Sequence, residues 1–280
     1  MFKIDMNNCY FSGFNQSKLS SSFLNIKNIS NKEKSGVILV FSDGCEKELD
    51  ALSIVGQNTP RVVKGKMPYD VVFFNMKAYR EYKENLERFK KISISTTSFE
   101  RDNLLSAAIK LVALRQNCAY IDGCDLSRYK KAYIWGHGRE GFSSIRCGEK
   151  YISKNELVSL LKEHHVTDKI KDFRITSCGS ADKRKLKSFD INDIENSKKE
   201  SGLLERVLIG ERKSLAESVA DEFWSQSDTD ITVTGYHGKG VFAKYDGNEV
   251  PDVHLRSIEI PSKTVERRST LKEVYKCEID

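Results

Sequence analysis

Apolar residues in this chain gather into a few short runs, separated by charged stretches whose apolar positions recur every three or four residues. GVILVFSDG (36–44) and PYDVVFFN (68–75) are uninterrupted apolar segments closed by turn residues, the pattern of strands covered on both faces. KKAYIWGHG (130–138), DFRITSCGS (172–180) and DITVTG (230–235) repeat it, each ending in small residues. Between them, Tyr79, Tyr82, Leu86 and Phe89 lie at helical spacing within 77–91. Asp102 caps a second amphipathic segment, DNLLSAAIKLVALRQ. Ser153 with Glu156, and Ser214 with Glu217, form the S-x-x-E capping boxes of two further helices, and 143–151 reads as a short hairpin. A long hairpin over 241–260, turning at Asp246-Gly247, closes the pattern. Strands alternating with helices predict an α/β fold with a mostly parallel sheet flanked by helices, right-handed crossovers and a C-terminal β-hairpin flap. Ligands in such sheets bind at the carboxyl ends of the strands.

Length and charge refine this picture. The 280 residues suit one elaborate domain with extensions. Residues 1–34, rich in Ser, Asn and Lys, read as a flexible leader, 35–265 as the domain and 266–280 as a tail. In 182–201, 11 of 20 residues are charged and no face is apolar, so a solvated, mobile loop is expected. No run approaches the roughly 18 apolar residues of a spanning helix. Asp5, Asn7 and Asn8 stand where a secretory signal would place its apolar core. Seven scattered cysteines, an odd number, suit a reducing compartment, and their spacing provides no metal site. A net charge of +6 is weak for a nucleic-acid binder yet leaves room for a local anion site.

The candidate chemistry sits at two strand ends, His137 after Tyr133–Trp135 and Cys178 after Arg174–Ile175, 41 residues apart. One βαβ crossover with an inserted hairpin fits that spacing and brings imidazole and thiol to the same rim. A histidine beside a cysteine stabilises the thiolate and can protonate a leaving amine. Gly138 and Gly179 permit sharp exits from the strands. The backbone N–H groups of Gly138 and Cys178 could form an oxyanion hole. His237-Gly238 also follows a strand and competes for the acid/base role, whereas His164 and His165 end a helix and read as structural. A carboxylate orienting the imidazole stays unassigned, with Asp70 and Asp122 both conceivable. No G-x-S-x-G elbow, P-loop or dinucleotide fingerprint is present.

The strand-Gly-His-Gly element paired with strand-Cys-Gly-Ser resembles the caspase-like cysteine peptidases, although Thr176-Ser177-Cys178-Gly179-Ser180 replaces their Q-A-C-x-G signature. Over 130–260 it is similar to the autoprocessing cysteine protease domains of RTX and large clostridial toxins, and the whole chain resembles type III secreted effectors of the OspB kind. The resemblance implies a bacterial protein secreted without a cleaved signal, acting in host cytoplasm on a host polypeptide or on itself, with cleavage after leucine. It also implies allosteric activation by inositol hexakisphosphate in a basic pocket. Lys239, Lys244 and Arg256 carry over to that role, with Lys183, Arg184, Lys185 and Lys187 secondary, and no metal or nucleic acid is implied. Two other readings stand beside it: a constitutive caspase-like peptidase without a phosphate switch, and a catalytically silent adaptor with a basic anion-binding face.

Overall fold

The computed structural model describes residues 35–45, 48–63, 66–93, 101–200, 202, 207, 212–241, 256–258 and 265–277. Its first strand, β1 (Gly36–Val40), is flanked by β2 (Asp70–Phe73) and β4 (Lys131–Trp135), both parallel to it. Beyond β2 lies β3 (Cys118–Tyr120); beyond β4 lie β7 (Asp172–Ile175), β8 (Thr232–Tyr236) and finally β12 (Lys272–Tyr275), which runs antiparallel to β8. The sheet order is β12-β8-β7-β4-β1-β2-β3. This is an α/β fold with a mostly parallel seven-stranded sheet, consistent with a caspase-like architecture.

Alternation along β1 divides the core. Val37 and Leu39 join Ile134, Phe173 and Val233 on one face, under α4 (Lys154–Glu163) and α6 (Leu215–Ser225). Ile38 and Val40 join Val71, Phe73 and Trp135 on the other, under α1 (Glu48–Val63), α2 (Met76–Lys90) and α3 (Arg101–Arg115). Both faces of the central strands are thereby dry, which is why their sequences are continuous apolar runs.

Local signals fix the helix starts. Asn75 caps α2 by accepting hydrogen bonds from the Lys77 and Ala78 N–H groups, and Tyr82, Leu86 and Phe89 are buried as the spacing predicts. Ser153 accepts from the Glu156 N–H, and Ser214 with Glu217 forms a full reciprocal capping box. The helix expected from Asp102 begins one residue earlier, at Arg101. The short hairpin is β5 (Ser144–Cys147) with β6 (Lys150–Ser153), turning through Gly148 at φ 67°.

The structure corrects two expectations and adds one helix. The supposed tail contains β12, hydrogen-bonded along β8, and Leu271 and Arg268 are buried beside it. The supposed mobile loop holds α5 (Ile191–Lys198), with Ser197 buried and its carbonyl oxygen accepting from the Lys183 and Arg184 N–H groups. Helix α1 was not foreseen, because Gly56 and Pro60 interrupt its propensity; burial of Ala51, Ile54, Val55 and Val62 overrides them. The flap is represented by β9 (Lys239–Val241), β10 (Arg256–Ile258) and β11 (Val265–Arg267) in one antiparallel sheet. Its turn at Asp246-Gly247, like the leader, lies outside the described residues. Among the described residues no helix is long and apolar enough to cross a membrane.

Candidate active site

β4 and β7 are neighbours in register, Ile134 opposite Ile175, and the ladder continues one step further through a 3.0 Å bond from the Thr176 N–H to the Ile134 carbonyl. Each strand then yields its candidate residue three positions on, His137 and Cys178, at the carboxyl edge. The two exits touch. A methyl group placed on Gly138 would fall 2.6 Å from Ser177 Oγ and 2.8 Å from the Cys178 carbonyl oxygen, so only glycine lets the loops close on each other.

Cys178 stands on a pinned turn. Gly179, at φ 59°, donates its N–H to Gly238 O at 2.8 Å, Ala181 donates to Tyr236 O, and Ser180 Oγ bridges the Ile175 carbonyl and the Tyr236 N–H. The thiol itself is half-buried. No hydrogen bond to another described group engages the N–H of Gly138 or of Cys178, which leaves both as donors for an oxyanion.

His137 is held by an isolated bridge to Arg146, with bonds of 2.7 and 2.8 Å in the two directions. Its ring meets Trp135 edge-on at 5.6 Å, and its Nε2 lies 3.5 Å from Asp50 Oδ1. Asp50, which the sequence analysis did not single out, is thus a carboxylate within charge-attraction range of this ring. Asp70 instead stands at the start of β2, the opposite edge, accepting from Tyr129 Oη at 2.6 Å and Arg128 at 3.2 Å. Asp122 lies 3.7 Å from His164. The signal for Asp50 was a polar stripe at positions i, i+3 and i+7 of α1: Ser53 Oγ accepts from Trp135 Nε1, and Gln57 Nε2 donates to Thr176 Oγ1, both at 3.2 Å. One helix face thus reaches both strand ends.

His237, the competing histidine, is buried against carboxylates and away from the cleft edge occupied by His137. Its side chain is 2% exposed and its Nδ1 lies 2.6 Å from Asp182 Oδ1, itself 0% exposed. Its Nε2 is 3.7 Å from Glu273, too long for a hydrogen bond but close enough for charge attraction. Burial pushes this imidazole down, and the two carboxylates more than reverse it, raising it to about 9. His237 in turn, with Lys198, holds Glu273 below the usual carboxylate range. Asp182 also accepts from the Gly238 N–H and Ser197 Oγ, while its backbone bonds Gly141 N–H and Gly179 O. One buried aspartate therefore ties together the loops after β4, β7 and β8.

No family model and no curated protein matches this chain. Among its other thiols, burial pushes Cys45 and Cys147 up to about 12 and Cys118 to about 11, which keeps them protonated at neutral pH. Among the described residues no cluster of three His, Cys, Asp or Glu side chains could hold a metal. Of the residues carried over for an inositol phosphate, Lys239 is exposed at the start of β9, Arg256 lies in β10 opposite Val241, and Lys244 is outside the described residues. Of the secondary set, Arg184, Lys185 and Lys187, joined by Lys199, line a surface cavity of about 360 Å³ whose wall also carries the carboxylates of Asp193 and Glu200 and the side chains of Asn196 and Ser197. Lys183 instead pairs with Glu217 at 2.9 Å.

Proposed function

We propose that this protein is a cysteine endopeptidase, a bacterial effector that cleaves a host polypeptide or itself and is activated by inositol hexakisphosphate. The observation that carries the peptidase reading is the convergence of Cys178 and His137 from adjacent, in-register strand ends, with Asp50 behind the imidazole. The Cys178 thiolate attacks the scissile carbonyl, and the new S–C bond leaves an oxyanion facing the Gly138 and Cys178 N–H groups. Collapse of this intermediate expels the amine, which takes a proton from the imidazolium, and leaves an acyl-enzyme. Water then gives a proton back to the imidazole and its hydroxide to the acyl carbon, releasing the acid and regenerating the thiolate. Asp50 on Nε2 leaves Nδ1 for these transfers.

The phosphate half draws support from the cavity lined by Arg184, Lys185, Lys187 and Lys199, since clustered cations reward phosphate oxygens through charge-assisted bonds. Its wall residue Ser197 hydrogen-bonds Asp182, which braces the Cys178 turn, so occupancy of the cavity can favour the assembled site.

The test is incubation of the full chain with a peptide library, with and without inositol hexakisphosphate, read by mass spectrometry. Cleavage that rises with the ligand is expected. Equal cleavage in both arms would support the constitutive peptidase, and no cleavage with an inert Cys178 the adaptor. Lys185→Glu combined with Lys187→Glu should raise the half-activating ligand concentration on the order of tenfold while leaving saturated activity intact, and added salt should act the same way by screening. Gly138→Ala should reduce turnover on the order of 100-fold, because a methyl that pushes the two loops apart by even about 1 Å misplaces nucleophile and base.

A further inference from the structure

Arg268, just before β12, reaches beneath the Cys178 turn. Its Nη2 donates to the carbonyl oxygens of Thr176 at 2.8 Å and Ser177 at 3.0 Å. The residue is 5% exposed, its guanidinium carbon lies 4.7 Å from the centre of the Tyr236 ring, and a methyl on Gly240 would fall 2.4 Å from Nη1. Two carbonyls, an aromatic face and a glycine therefore fix one buried cation in place, a costly arrangement for a side chain almost never found fully buried. Burial pushes Arg268 down, and the group that opposes this most is Cys178.

The Ser177 carbonyl belongs to the same peptide unit as the Cys178 N–H. A cation bonded to the oxygen of a peptide polarises it and makes its N–H a stronger donor. The other charged groups around this turn are His137 and Asp50 at the β4 exit, Glu140 against Gly179, and Asp182 with His237. The carboxylates all oppose negative charge on sulfur.

We propose that Arg268 is the positioning residue of the Cys178 turn: by gripping the Thr176 and Ser177 carbonyls it aims the Cys178 N–H at the cleft, and its charge supports both thiolate and oxyanion. This inference rests on the peptidase reading and assigns a role to a residue outside the dyad.

Two electrophiles separate the effects. Iodoacetamide reads the thiolate alone, since sulfur displaces iodide directly. A leucyl chloromethyl ketone first forms a hemithioketal whose oxygen bears the negative charge; sulfur then moves to the methylene carbon, its bond to the carbonyl carbon breaking as the ketone re-forms and chloride leaves, so the reagent reads the oxyanion donors as well. In the full chain, with Cys178 modification followed by mass spectrometry from pH 5 to 9, Arg268→Gln should slow iodoacetamide at pH 7 about tenfold and move its pH profile upward. The ketone should slow on the order of 100-fold. Arg268→Lys should recover the first loss and not the second, because an ammonium on a flexible stem keeps the charge without the planar grip. Gly240→Ala, which crowds the guanidinium without removing the arginine, should reproduce the ketone loss in a protein that still melts cooperatively, and it decides the matter if Arg268→Gln does not fold. Wild-type rates with both probes in a folded Arg268→Gln or Gly240→Ala protein would overturn the proposal and leave the dyad standing. A wild-type Cys178 that reacts no faster than Cys277, the half-buried thiol that follows β12, would remove the peptidase reading and this inference with it.

Discussion

Cys178→Ala is expected to abolish peptide cleavage, a loss of at least about 10⁴-fold, with no change in the melting temperature. The thiol is half-buried and rests on a turn held by backbone bonds from Gly179 and Ala181 and by the Ser180 hydroxyl, none of which involves sulfur. His137→Ala should cost nearly as much, since members of one catalytic unit are grossly non-additive and the double variant should be little worse than either single one. The ring is not a packing element: its side chain is 43% exposed. Asp50→Asn keeps the shape and removes the charge behind Nε2, and should cost on the order of tenfold. Turnover of one fixed peptide by all four proteins, beside their thermal melts, checks the set. Full activity in either single variant of the dyad would overturn the assignment.

Breaking the His237–Asp182 pair should cost about 3–5 kcal/mol of stability for His237→Ala, because it strands a buried carboxylate. The pair also predicts a pH dependence. His237 is raised to about 9 in the folded protein, against about 6.5 when unfolded, so the folded state binds the proton more tightly. Its contribution, on the order of 3 kcal/mol, is fully present below about pH 6.5 and is lost as the pH rises through 9. The melting temperature should therefore fall between those values, and His237→Gln should flatten that slope. His165 supplies the control. It faces Asp168 at 3.0 Å, but with 80% and 58% of the two side chains exposed, and His165→Gln should leave the melting temperature and its slope unchanged. An alkaline slope identical in wild type and His237→Gln would show that another group is responsible.

How much of this was written locally in the chain can be judged element by element. β4, β7, the two capped helices and the β5–β6 hairpin were legible, because each carries its own signal: an apolar run, a capping serine, a glycine turn. The placement of His137 and Cys178 at one sheet edge followed from them, since parallel neighbours joined by one crossover end at the same edge. What escaped depended on partners distant in sequence. α1 owes its helicity to burial and not to propensity; β3 and β12 are short edge strands with half-polar patterns; α5 is held through Ser197 and Asp182. The same holds within the site. Asp50, Asp182 and Arg268 look like ordinary surface charges in the sequence, and only the third dimension sets them behind His137, between the loops and beneath Cys178.

The grip of Arg268 on Thr176 spans 92 residues of chain, and β12 can pair only after β8 has been made. Domains are synthesised from the amino terminus onward, so β1, β2, β4 and β7 can assemble while the support for the Cys178 turn does not yet exist. A nascent chain carrying both His137 and Cys178 thus holds Cys178 on an unsupported turn, with neither Arg268 below it nor the His237–Asp182 tie beside it. The Cys178 turn is therefore completed only when the strand made last among those described, β12, has docked, so the order of synthesis sets the order of assembly at this edge of the sheet.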